Sequence, residues 1–66
     1  MIYEEFVKLV DQTYNNFNWR YGQALMNVLH GANQKKYNEI VDTKNDCYHD
    51  DRLVQNTLKM LKENWE

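Results

Sequence analysis

Proline is absent, cysteine occurs once, and glycine occurs only twice. With Cys47 alone, no internal disulfide can form, and a lone thiol without a secretory pattern points to a reducing compartment. Glycine at positions 22 and 31 and no proline leave few places where the backbone must break a helix. No apolar run approaches the roughly 18 residues that a membrane span needs. The opening MIYEEFVK is acidic where a secretory leader would be basic and then apolar. These absences predict a soluble, cytoplasmic chain with no membrane partner.

Charge of one sign is also missing. Eight basic and ten acidic residues give a net charge of −2. Residues 1–33 carry +2 and −3, residues 34–66 carry +6 and −7, and the signs are mixed in both halves. A general nucleic-acid binder would show a basic stripe, and a whole-surface mimic of DNA would show a strong acidic field. Neither is present. A chain of 66 residues buries only about 60% of its unfolded surface, so one marginal core is expected. What the sequence has in abundance is aromatic residues, nine of them, for that core or for a contact face.

Apolar spacing is helical throughout. In IYEEFVKLVDQTY one face gathers Ile2 or Tyr3, Phe6, Leu9 or Val10, and Tyr14, predicting a helix to about Tyr14 that frays at NNFN. Asn18 is the expected N-cap of a second helix, WRYGQALMNVLH, whose stripe is Leu25, Met26, Val28, Leu29 and Ala32. Gly22 there costs helix propensity but admits a close neighbour, and Gly31 suits the left-handed position that ends a helix. Asn33 is the expected cap of a short third helix, QKKYNEIV, burying Tyr37, Ile40 and Val41. A polar, turn-rich stretch runs from Asp42 to His49. The last segment, RLVQNTLKMLKENW, sets Val54, Leu58, Leu61 and Trp65 in one stripe.

The most chemically loaded stretch is DCYHDDR, Asp46 to Arg52. A structural zinc needs four Cys or His ligands and a catalytic zinc three. Here Cys47 and His49 stand two apart with no further ligand nearby, and the other histidine, His30, falls on a different helix. Calcium also fails, because counts from Asp42 or from Asp46 put Leu53 or Thr57 at position 12 and neither puts glycine at position 6. A thiol nucleophile would need Cys47 held beside His49 with an oxyanion hole. The plainer expectation is that Asp50 or Asp51 caps the last helix, which leaves Asp46, Tyr48 and His49 unexplained. A metal- or thiol-dependent site at Cys47 and His49 therefore stays as an alternative.

QALMNVLHGANQKKYNEIV can also be read as a helix-turn-helix, with Gly31 in the turn and Gln34, Lys35, Lys36 and Asn38 opening the second helix. Against it stand Asn27, where close helix packing favours a small residue, and the net acidity of the chain. Nucleic acid ranks behind protein as the expected partner. In FNWRY, the adjacent Trp19, Arg20 and Tyr21 cannot all face the core of a helix. Trp, Tyr and Arg are the types most often found at binding hot spots. The same residues also fit a core tryptophan covered by the aliphatic stem of Arg20.

Between Phe17 and Trp65 the chain resembles a group of small uncharacterised bacteriophage and prophage accessory proteins. The shared features are the helix start Trp19-Arg20-Tyr21-Gly22-Gln23, the step Asn27-Val28-Leu29, and an acidic aromatic turn before a final helix that ends near tryptophan. Their turn reads like Asp-Pro-Phe-Tyr-x-Asp; here Cys47 replaces the usual proline and His49 is an addition. Asn33-Gln34-Lys35-Lys36 replaces the usual Arg-Pro-Asp-Leu start of the preceding helix. The resemblance implies an accessory protein that occludes or redirects a host defence, transcription or nuclease protein, and it transfers no activity.

The expectation is an all-α, compact bundle of three to four short helices, one helical domain over residues 1–66, acting by binding and not as an enzyme. No catalytic residue, cofactor or metal is assigned. Contact residues are expected at Trp19, Arg20 and Tyr21, with Tyr48, His49 and Asp50 as a second patch. The partner is a host protein. A homodimer through an exposed stripe on the last helix is also expected, since the core is small.

Overall fold

Four helices form where the apolar spacing demands them. The computed structural model describes residues 1–65. It places α1 at Tyr3–Asn16, α2 at Tyr21–Ala32, α3 at Gln34–Ile40 and α4 at Val54–Glu63, with a 3-10 turn at Asp51–Leu53 leading into α4. No strand occurs among the described residues. The radius of gyration is 10.5 Å, close to the roughly 11 Å of a folded chain this long. No described helix is long and apolar enough to cross a membrane. The all-α bundle is what the sequence predicts.

Phe6 and Val10 on α1 meet Ala24, Leu25, Met26 and Leu29 on α2, and Ile40 and Leu61 close the same buried cluster. Helix α1 runs two residues past Tyr14, because Asn15 and Asn16 stay helical before Phe17 turns extended. Its inward face is Tyr3, Phe6 and Val10; Leu9 and Tyr14 are exposed.

The caps differ from expectation. Asn18 does not cap α2: Arg20 stands at the N-cap without a side-chain bond, and the acceptor comes from far along the chain. Gly31 is an ordinary helical residue, and α2 ends after Ala32. Asn33 serves three partners. Its N–H donates to the Leu29 carbonyl at 2.9 Å, its Oδ1 accepts from the Lys36 N–H at 3.2 Å, and its Nδ2 donates to the Trp65 carbonyl at 3.1 Å. One asparagine thus ends α2, starts α3 and holds the tail of α4. The left-handed residue is Asp42, at φ 62°, a type that tolerates this region better than most.

Because a Cβ on Gly31 meets nothing within 4 Å, Gly31→Ala should stabilise the fold by about 0.5–1 kcal/mol. A urea denaturation midpoint at or below that of the parent would contradict this.

Helix α4 turns Val54, Thr57 and Leu61 inward, with Leu58 half-buried. Trp65 lies beyond the helix end and folds back, its ring 4.8 Å from Phe6 and 5.9 Å from Tyr3. Its Nε1 donates to the Met1 carbonyl at 2.7 Å. The outward residues of α4 are Gln55, Asn56, Lys59, Lys62 and Glu63. The exposed apolar stripe expected on this helix is therefore absent. The exposed large apolar side chains are Met1, Ile2, Leu9, Tyr14 and Phe17, all on α1 and its flanks.

Candidate protein-binding surface

Gly22 decides the layout of this surface. A Cβ there would fall well inside contact with the Cys47 carbonyl oxygen and 2.8 Å from Asp51 Oδ1. Only glycine lets the Asp46–Arg52 turn sit directly on the first turn of α2, the close approach its presence in the sequence predicts. Three N–H donors, from Arg20, Gly22 and Gln23, hold the turn there. The Gly22 N–H donates to Asp51 Oδ1 at 2.9 Å, Arg20 Nη2 donates to the Tyr48 carbonyl at 2.9 Å, and Gln23 Nε2 donates to the Tyr48 hydroxyl at 3.2 Å. The two patches expected separately, Trp19-Arg20-Tyr21 and Tyr48-His49-Asp50, are therefore neighbours on one surface.

Each aspartate of the turn has a structural task. Asp46 accepts from the N–H groups of Asp42 at 2.8 Å and Tyr48 at 2.9 Å, which folds the loop. Asp50 accepts from the Arg52 N–H at 3.0 Å and so caps the 3-10 turn. It also takes both Nε and Nη2 of Arg52 at 3.0 Å, and these bonds hold its carboxyl below its ordinary range. Asp51 caps α2 instead of the helix it precedes. Asp50 is thus engaged already, while His49 is exposed and touches Tyr48 edge-on at 4.8 Å.

Cys47 is fully buried, with Sγ 3.8 Å from the Gly22 carbonyl. Burial pushes its thiol up to about 11, partly offset by the Thr57 hydroxyl. A protonated, enclosed thiol is a poor nucleophile and a poor metal ligand. His49 stays outside, so the pair does not converge. Among the described residues no three His, Cys, Asp or Glu side chains are grouped to hold a metal ion.

The raised thiol has a consequence for stability. Its ordinary value is 9.0, so above pH 9 the unfolded chain releases a proton that the folded chain keeps. Tyr21 acts in the same direction, raised first by burial and then by its hydrogen bond to Asp11 at 2.5 Å. Stability is full below about pH 9 and declines as pH rises toward 11. A urea midpoint at about pH 10.5 equal to that at about pH 8 would contradict this.

The aromatic edge is wider than FNWRY suggested. Phe17, 56% exposed, stacks on Trp19 at 4.9 Å with planes 16° apart. Tyr14, 46% exposed, meets Tyr21 at 5.4 Å. Trp19 and Tyr21 are half-buried and pack on the core, so each is core on one side and surface on the other. Arg20 is exposed and bonds to Tyr48 instead of covering Trp19. Sequence reasoning missed Phe17 and Tyr14. Their signal was local: Tyr14 precedes the Asn-rich stretch NNFN and Phe17 lies within it, just past the end of α1.

The helix-turn-helix geometry is not matched. Asn33 alone separates α2 from α3, where such motifs use a turn of about 3–4 residues. The Lys36 side chain is only 12% exposed and pairs with Glu39 at 3.3 Å. No protein-family model, curated protein or solved structure matches the chain.

Proposed function

We propose that this protein is a phage accessory protein that acts without catalysis, by binding a host protein and occluding or redirecting it. The observation that carries this reading is the aromatic edge of Tyr14, Phe17, Trp19 and Tyr21, half-exposed and flanked by Arg20. Exposed large aromatics beside an arginine, backed by a packed core, are the composition of a binding hot spot. The rigid seam at Gly22 supports the reading further. It holds Arg20 and Tyr48 in fixed relation, and a preorganised contact face loses less entropy on association.

The test is capture from a lysate of the host bacterium on immobilised protein. One host protein at stoichiometric yield is expected, retained by the parent and lost with Phe17→Ala and Trp19→Ala. Phe17→Ala is the cleaner variant, because its side chain is mostly in solvent. Recovery of nothing above background, or equal recovery by both folded variants, would overturn the reading.

A further inference from the structure

Beside the Asp46–Arg52 turn lies a cleft of about 230 Å³, lined by the aromatic residues Tyr37, Tyr48 and His49, by Met26 and Val41, and by the acidic residues Asp42 and Asp46. No lysine or arginine lines it. We infer that this cleft takes the cationic head of a lysine or arginine side chain from the partner protein, an inference that rests on the protein-binding reading above.

Three features select that ligand. The first is size: clefts that bury whole small molecules run to roughly 300–1,000 Å³, and this one is smaller, the scale of one side-chain end. The second is the wall chemistry. Aromatic rings attract a cation through their negative faces, and a neighbouring carboxylate adds a direct charge. A carboxylate or phosphate would meet repulsion there. A neutral apolar group would gain from Met26, Val41 and the ring surfaces but would leave the two acids without a counter-charge.

The third is the state of the two acids. Asp46 is fixed by accepting two backbone N–H groups, at 2.8 and 2.9 Å, and its two oxygens have further lone pairs to accept with. Asp42 is exposed, and its carboxylate has neither a hydrogen bond nor an ion pair among the described residues. The ion pairs there are Lys36 with Glu39 and Arg52 with Asp50. Lys44, in the same loop, pairs with neither acid.

Position favours a protein side chain over a free amine. Tyr48 belongs both to the cleft and to the seam, through its carbonyl to Arg20 and its hydroxyl to Gln23. A partner that engages Arg20 therefore meets a residue bonded directly to a wall of the cleft.

The test is an NMR titration of the whole chain with Nα-acetyl-lysine-N-methylamide, its arginine counterpart and the neutral norleucine counterpart. Saturable shifts of the Tyr37 and Tyr48 rings and the Met26 methyl are expected with the two cations and not with norleucine. Asp42→Asn should weaken the cations at least about threefold. Asparagine adopts the left-handed backbone of this position as readily as aspartate, so the variant keeps the loop. No saturable shift up to about 100 mM, equal binding of norleucine, or unchanged affinity in folded Asp42→Asn would overturn the inference.

The host-protein capture separates the two ideas. Loss of capture with Phe17→Ala but none of the weakening expected with Asp42→Asn overturns the cation site and leaves protein binding standing. Saturation by the capped cations with no host protein captured supports the cleft and overturns the protein-binding reading.

Discussion

Gly22→Ala should lower the stability of the fold by at least about 3 kcal/mol, the upper range for forcing atoms into a filled space. The added methyl points at the Cys47 carbonyl, a backbone atom within a loop pinned from both ends. It cannot be accommodated by a rotamer change. The second obstacle, Asp51 Oδ1 at 2.8 Å, is a side chain and can swing away, but then the Gly22 N–H loses its acceptor. A chain of this size has a total stability on the order of 3–10 kcal/mol. The variant should therefore be largely unfolded or melt some 10–20 °C lower. Combining it with Asp51→Ala should not restore stability. Full rescue by that second change, or a Gly22→Ala midpoint within about 0.5 kcal/mol of the parent, would mean the turn is not seated on α2. Gly31→Ala, with an effect of opposite sign, is the internal control.

Trp65→Ala should cost about 2–4 kcal/mol, somewhat below the loss for a fully buried tryptophan. The ring stands against Phe6 at 4.8 Å and Tyr3 at 5.9 Å, and aromatic pairs add to the area they bury. Its Nε1 also satisfies the Met1 carbonyl. These contacts, with the Tyr3 hydroxyl donating to the Leu58 carbonyl at 3.2 Å, tie the start of α1 to α4 and its tail. Trp65→Phe keeps the packing and loses the hydrogen bond, so it should recover all but about 1 kcal/mol. Urea denaturation followed by helical circular dichroism measures both. An alanine variant as stable as the parent would mean that the tail is not docked.

The helices and most of the core were legible because they depend on local spacing. Phe6, Val10, Leu25, Leu29, Ile40 and Leu61 fall on the inward side that a 3.6-residue period assigns them. The caps were less legible, because one of them is tertiary. Asp51 caps a helix that begins thirty residues earlier, and nothing in NNFNWRY signals that its cap comes from elsewhere. Gly31 reads as a stop until Asn33 is seen to serve both helices. Cys47 and Thr57 are core residues hidden among polar neighbours. Thr57 is buried with its hydroxyl at 2.6 Å from the Asn45 carbonyl and 3.0 Å from that of Leu53, a partnership only the folded loop supplies. The union of the two contact patches depends on the Gly22–Cys47 approach, across a separation that no sequence window spans.

That approach makes DCYHDDR a bracket on α2, and native-state thiol labelling tests this most directly. With an aromatic disulfide reagent near neutral pH, Cys47 should react only through opening of the fold. The rate should be at least about a thousandfold below that in denaturant, matching a folded-to-unfolded ratio worth about 4 kcal/mol. Stoichiometric labelling of the native protein within about tenfold of the denatured rate would contradict a buried Cys47 and a seated turn together.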